Sequence, residues 1–241
     1  MQDPLFLSIA IAATIVGGIV RGYAGFAGPM IMLPVLTILF GPVTAVVTIL
    51  LVDMAGVVVL VPEALRRGSR RVSVPLILGT LTCMPFGSYL LLVADPAIMK
   101  NFIIIAVIGV ATAMLFGWRY AKPLGPAALT GVGVLSGGFL SAAYIGAIAP
   151  LFLYAGPDSA QFSRANIILW SFFSGLVLVA TLVFGGAVTA VELWRALTLM
   201  PFYFGAIYAG SRLVRGIDEL LFRRTVLGIL IAGSVVGVVF F

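Results

Sequence analysis

The chain has 241 residues, of which 62% are hydrophobic and only 9% are charged, with a formal net charge of +6. This composition lies far outside the balance of a soluble domain. The sequence contains no histidine and a single cysteine, Cys83, which excludes catalysis by a Ser–His pair, ligation of a metal or haem by histidine, and an internal disulfide.

Long apolar runs recur along the whole chain, and most are near the ~20 residues that a helix needs to cross ~30 Å of hydrocarbon. No hydrophilic stretch is long enough to form a second, soluble domain. We therefore predict an all-α polytopic membrane protein with a single integral membrane domain over residues 1–241. Only four residues precede the first run and none is basic, so we expect no cleaved signal peptide. The runs are Leu5–Phe40, Pro42–Val61, Val72–Val93, Ala97–Phe116, Pro126–Tyr154, Gln161–Phe184, Val191–Leu213 and Leu220–Phe241.

Several helix-breaking residues recur at a common spacing of 116 residues. The pairs are Gly17 and Gly133, Gly22 and Gly138, Pro34 and Pro150, and the tripeptide MPF at 84–86 and 200–202. This register predicts two homologous halves, residues 5–120 and 124–241. Each half begins with one long broken apolar segment and continues with three ordinary spans.

The basic residues indicate that the two halves have inverted topology. Ten of the 14 Lys and Arg residues lie in three places: residues 66–71, Arg119 with Lys122, and residues 212–224. Cytoplasmic loops carry an excess of Lys and Arg. If all three places are cytoplasmic, each broken segment must return to the side from which it started, and both termini lie outside the cytoplasm. The same placement of positive charge at span ends argues against nucleic acid as a partner.

The first broken segment contains the stretch IVRGYAGFAGPMIMLP over residues 19–34. The run Leu5–Phe40 provides two legs of about 15 residues, or ~22 Å each, which favours a hairpin with its tip inside the membrane. Non-helical backbone survives there only beside protein or a water-filled cavity. Broken helices in inverted repeats point to a transporter's substrate site, and the free N–H groups of a helix start favour an anion. Arg21 adds a full positive charge.

Several motifs together resemble the sulfite exporter TauE/SafE family. They are RGYAGFAGPMIMLPVL from Arg21, the following LFGP, Asp53 one span later, LVPEAL at 60–65, PLILG at 75–79 and SRANIIL at 163–169. The family's duplicated GFLSGxxGxGG element has variant forms at Gly22–Gly28 and Gly138–Gly146. Residues 27–29 (AGP) and 147–149 (AIA) replace its commoner triple glycine. The resemblance implies a permease of the bacterial inner membrane for sulfite, sulfoacetate or related small anions.

Arg21 and Asp53 each allow two interpretations. A buried arginine in a membrane is costly unless it is paired or solvated, so Arg21 is predicted to bind substrate, and the alternative is a structural ion pair with Asp53. Asp53 is either that partner or a proton carrier. Arg164, which with Asn166 matches a family pattern, is a second anion contact or an interfacial topology signal. Phe26 is a gate or packs the hairpin. The predicted substrate-binding set is Arg21, Gly22, Gly25, Phe26, Gly28, Asp53, Tyr144, Gly146, Gln161, Arg164 and Asn166.

We predict a secondary transporter that holds a small anion between the two hairpins and moves it by alternating access. A channel-like anion pore would use the same residues, so the sequence leaves this alternative open. An enzyme is not expected, because without histidine no nucleophile–base pair can be built from the intramembrane residues. No cofactor or metal is predicted. The lipid bilayer is the expected environment, and the residues leave open a coupling proton and a homo-oligomer.

Overall fold

The computed structural model of the chain describes residues 4–95, 97–99, 101–102, 105, 109, 112 and 120–213. These residues form α-helices and short connections, with no β-strand among them. A 3-10 turn, Val58–Leu60, joins α3 to α4. The predicted span Leu220–Phe241 and most of Ala97–Phe116 lie outside the described residues. The helices are α1 (Pro4–Ala24), α2 (Gly28–Phe40), α3 (Pro42–Val57), α4 (Val61–Arg67), α5 (Arg70–Val93), α6 (Pro126–Ala143), α7 (Ile148–Ala155), α8 (Ala160–Phe184) and α9 (Ala190–Leu213).

Within the described residues, five helical stretches are long and apolar enough to cross a membrane. They are α1, the continuous stretch formed by α3 and α4 together, and the separate helices α5, α6 and α8. The prediction of an all-helical, multi-pass membrane protein is therefore confirmed. Their outward side chains are also large and apolar, as at Phe86 on α5 and Phe184 on α8, which are 69% and 90% exposed. Such a surface suits contact with lipid tails, because it offers them no unpaired polar group.

Both broken segments are interrupted where the sequence predicted, at residues 25–27 and 144–147. Gly25 follows α1 with a left-handed φ of 82°, and Pro29 lies in the first turn of the next helix, where a missing N–H costs nothing. The legs are unequal, however. α1 has 21 residues, or ~31 Å at 1.5 Å per residue, so the prediction of two ~22 Å legs is wrong for this helix. In the second segment α6 has 18 residues and α7 only 8.

Each half of the chain packs one of its helices along a helix of the other half. α1 packs along α9, and α6 packs along α5. Small residues allow both approaches: a Cβ added at Gly22 would lie 2.2 Å from the carbonyl oxygen of Ile207, and one added at Gly137 would lie 2.2 Å from that of Thr80. α3 contacts α2, α8 and α9, and this central position carries Asp53 into the interior.

Candidate functional site

Arg21 and Asp53 form a buried ion pair between the last turn of α1 and the middle of α3. Arg21 Nε lies 2.9 Å from Asp53 Oδ1, and Arg21 Nη2 donates to Asp53 Oδ2 at 2.9 Å. Each side chain is only 2% exposed. This two-point contact matches the planar fork of the guanidinium to the carboxylate. The ion pair that the sequence offered as one role of Arg21 is present.

Arg21 also holds the backbone of the first break. Its Nη1 donates to the carbonyl oxygen of Gly25 at 2.7 Å and to that of Phe26 at 3.4 Å. These carbonyls follow the end of α1, where backbone acceptors have no partner within the helix. Nη2 also donates to Ser171 Oγ of α8, at 3.4 Å. Both terminal nitrogens of this guanidinium therefore donate to acceptors, whereas Nε lies near Asp53 Oδ1 without forming a hydrogen bond.

Two tyrosine hydroxyls complete the surroundings of Asp53. Tyr144, at the second break, donates to Asp53 Oδ2 at 3.0 Å, and Tyr203 of α9 donates to Oδ1 at 2.6 Å. The sequence reasoning included Tyr144 but missed Tyr203. A signal was available, since the repeated tripeptide MPF is followed by Gly87 in the first half and by Tyr203 in the second. Asp53 thus joins four elements of the molecule.

Tyr144 follows the last residue of α6 in a left-handed backbone conformation, with φ 54° and ψ 31°. Within the described part of the chain it is the one non-glycine residue with a positive φ. Such a conformation is uncommon for a bulky side chain and persists only when its surroundings over-determine it. Its hydroxyl contact with Asp53 and its burial, at 3% exposure, are those surroundings.

A small cavity lies beside this cluster and receives residues from both breaks. Arg21, Phe26, Asp53, Tyr144 and Gly146 of the predicted set line it, together with Trp170 and Ser171 of α8. Its interior has room for about one water molecule. The cavity lining therefore presents a cation, a carboxylate and two hydroxyls to one small space.

Arg164 of α8 lies at the first break without lining the cavity. Its Nη2 donates to the carbonyl oxygen of Gly22 at 2.9 Å, and its Nη1 is 4.0 Å from Glu63 Oε2. Its stem packs on Gly25, where an added Cβ would lie 2.9 Å from Arg164 Cγ. Two arginines thus hold carbonyls near the end of α1: Arg164 that of Gly22 inside the last turn, and Arg21 those of the two residues after the helix. Gly28 packs against the carbonyl oxygen of Gly17, so it serves helix contact.

The structure does not place Gln161 and Asn166 in the cavity lining. Gln161 accepts a hydrogen bond from Arg67 Nη1 at 2.6 Å. Asn166 Oδ1 accepts from the backbone N–H of Ser69 at 2.8 Å, and its Nδ2 donates to the carbonyl oxygen of Phe162 at 2.9 Å. Both residues fasten α8 to the connection between α4 and α5. Within the described ranges no group of three Cys, Asp or Glu side chains is placed to hold a metal ion.

Comparison with protein-family models matched the chain to the family described as Sulfite exporter TauE/SafE over residues 9–237. The matched region covers nearly the whole chain and includes both breaks and Asp53. Searches of curated proteins and of solved structures found no match.

Proposed function

The chain belongs to the sulfite exporter TauE/SafE family, and from that premise we propose that it is a secondary transporter of small anions in the bacterial inner membrane. The proposed substrates are sulfite, organosulfonates such as sulfoacetate, and related small organic anions. Transport is proposed over catalysis because the family is one of exporters and because several helices are long and apolar enough to span a membrane.

The observation that carries this proposal is the position of Arg21. Its guanidinium is buried at a helix break and lines a cavity to which both breaks contribute. A permanent charge inside a membrane protein is costly and by default marks a substrate or ion pathway. The planar fork fits the oxygens of a sulfonate, sulfite or carboxylate group.

The helices that follow the breaks add to the attraction for an anion. Neither α2 nor α7 has a side-chain hydrogen bond capping its N-terminus, so no side chain occupies the first backbone N–H groups of these helices, of which Pro29 in α2 has none. Helix starts carry a partial positive charge and bind anions. An anion beside Arg21 would meet these two helix ends and the guanidinium together.

The size of the cavity favours alternating access over an open pore. A space that holds about one water molecule cannot hold sulfite, which has four heavy atoms, until the two breaks separate. We propose that the halves rock against each other to open the cavity to one side at a time. An open channel would need a continuous path through the same residues.

The exchange of packing partners supports two inverted repeats. The 116-residue offset pairs α1 with α6 and α5 with α9. The contact between α1 and α9 therefore has a counterpart in the contact between α6 and α5. We propose that these halves have opposite orientations in the membrane, with the basic loop at residues 66–71 in the cytoplasm.

A flux assay with the purified chain in liposomes tests the proposal. Vesicles loaded with unlabelled sulfoacetate or sulfite should take up the labelled anion faster than empty vesicles, and the rate should saturate. Arg21→Gln should abolish this exchange, whereas Arg66→Gln, at an exposed cation of α4, should leave it intact. Uptake without saturation or exchange, accompanied by an ohmic current, would identify a channel instead.

A further inference from the structure

The charges around the cavity are balanced when it is empty. The side chains that touch Asp53 are Arg21 from α1, Tyr144 at the second break and Tyr203 from α9, and Ser171 of α8 contacts Arg21. One cation and one carboxylate therefore face each other among neutral hydroxyls. Arg164 lies outside the cavity lining, and the two helix ends carry only partial positive charge, so an added anion gives the site a net negative charge.

Both terminal nitrogens of Arg21 are engaged in hydrogen bonds, and its Nε, which forms no hydrogen bond, lies directly against the Asp53 carboxylate. Nη1 faces the carbonyl oxygens of Gly25 and Phe26, while Nε and Nη2 face Asp53. Displacing the carbonyls would leave the break with unpaired buried acceptors, which is costly. Displacing the Asp53 carboxylate replaces one anion with another on the same two nitrogens. An incoming anion therefore takes the place of Asp53.

A displaced Asp53 would leave a carboxylate in the interior without its cation. Buried charges that lose their partner are strongly destabilising and commonly become neutral instead. A proton on one Asp53 oxygen removes the problem. Tyr203 suits either form, because a tyrosine hydroxyl donates to a carboxylate and accepts from a protonated carboxyl group.

Resting on the transport function proposed above, we propose that the chain is a proton–anion symporter in which each monoanion that binds Arg21 displaces Asp53, which then takes up one proton. The proton comes from the water on the side from which the anion enters, forms an O–H bond on Asp53, and returns to water on the other side as the anion leaves. The site is then neutral both empty and loaded, so neither form moves net charge across the membrane.

Proteoliposomes containing the full chain test this coupling with isethionate, a strong-acid monoanion that does not itself titrate near neutral pH. With a pH-sensitive dye inside, isethionate influx should acidify the lumen by about one proton per anion. The rate should not change when potassium and valinomycin impose a membrane potential. Isethionate influx without acidification, at a rate that follows the potential, would overturn the coupling and leave the transport function standing. Failure of isethionate, sulfite and sulfoacetate alike to exchange would overturn the transport function itself.

Two variants test whether Asp53 is the residue that carries the proton. In Asp53→Asn, the isethionate flux that remains should no longer acidify the lumen, and it should become sensitive to the imposed potential. If this variant does not fold, Tyr203→Phe provides the test, because it removes a hydrogen-bond donor to the Asp53 carboxylate. The dependence of isethionate flux on pH should then differ from that of the parent chain. Tyr208→Phe, an exposed tyrosine on the same helix, is the matched control and should leave the profile unchanged. An unshifted profile in Tyr203→Phe would remove Asp53 as the proton carrier.

Discussion

Gly25 and Tyr144 occupy equivalent positions in the two breaks. Each directly follows the helix that precedes the break, and each has a left-handed backbone, with φ of 82° and 54°. The backbone N–H of each donates at 2.9 Å to the carbonyl oxygen four residues earlier, that of Arg21 or Leu140. The two breaks differ in what holds them: Arg21 reaches Gly25 from its own helix, whereas Tyr144 reaches Asp53 with its own side chain.

Replacing Gly25 by alanine should impair both stability and transport. The left-handed backbone costs an L-residue about 1–2 kcal/mol, and the new Cβ would lie 2.9 Å from Arg164 Cγ, which adds roughly 1–3 kcal/mol of overpacking. Gly41 is the matched control, since it has the same φ of 82° but nothing within 4 Å of an added Cβ. Gly41→Ala should show only the backbone cost. Equal losses of thermal stability in the two variants would mean that Arg164 does not constrain the break.

The hydroxyl of Tyr144 should contribute to stability through Asp53. Tyr144→Phe removes one hydrogen bond to a charged acceptor, worth about 1.5–3 kcal/mol, while the ring and the backbone stay. Thermal melting in detergent should show a clear decrease for this variant. Tyr89→Phe, at an exposed tyrosine of α5, should melt like the parent chain. A Tyr144→Phe protein that melts unchanged would show that the contact with Asp53 does not hold the second break.

Arg21 should determine anion affinity. Arg21→Gln should cost roughly 1.5–3 kcal/mol of binding, the value of a hydrogen bond to a charged group, or about one to two decades in Kd. Arg21→Lys should restore only part of the affinity, because lysine keeps the charge but lacks the planar fork. Isothermal titration with sulfoacetate or sulfite measures both. Full affinity in Arg21→Gln would remove Arg21 from the binding site.

The double variant Arg21→Gln with Asp53→Asn separates binding from structural pairing. Either single change leaves a buried charge without its partner, which costs about 3–5 kcal/mol, so we expect less folded protein in the membrane. The double change removes both charges and should restore folding. Transport should stay lost, because the cavity then has no fixed positive charge. Recovery of transport as well as folding would make the pair purely structural.

Chemical labelling should place Ala190, at the start of α9, and Arg66, near the end of α4, on opposite sides of the membrane. In a background lacking the single cysteine through Cys83→Ser, we expect Ala190→Cys to react with an impermeant maleimide on intact cells. Arg66→Cys, in the basic loop, should react only after the cells are permeabilised. Both positions are exposed, so accessibility to the reagent is comparable. Labelling of both from the same side would contradict the inverted arrangement.

Local sequence signals were sufficient for much of the fold. The apolar runs Val72–Val93 and Gln161–Phe184 agree within two residues with α5 and α8, because helix length in a membrane follows the run of apolar residues. The positions of the two breaks were also predictable from the local sequence, because glycine and proline interrupt helices. The length of α1 did not, since Gly17, Gly18 and Gly22 lie inside the helix. There they serve close packing against α2 and α9, which no local rule reveals.

The site residues could be predicted from the sequence only where a polar or charged residue interrupts an apolar run. Arg21 and Asp53 stood out as charges within apolar runs, and their pairing was one of the two interpretations. Tyr203 was missed because, apart from its place after the repeated MPF, a tyrosine in an apolar helix is ordinary, and its partner Asp53 is 150 residues away in the sequence. Gln161 and Asn166 lie on α8 and bond to Arg67 and Ser69. These contacts likewise depend on which helices meet.

The packing of α1 along α9 can form only late in synthesis of the chain. α1 enters the membrane early, yet the helix that covers Gly18 and Gly22 is made only after most of the chain has followed. Until then Asp53 has Arg21 to pair with, since both lie in the first half, while Tyr144 and Tyr203 arrive later. The ion pair within the first half thus keeps both charges paired until Tyr144 and Tyr203 pack beside Asp53.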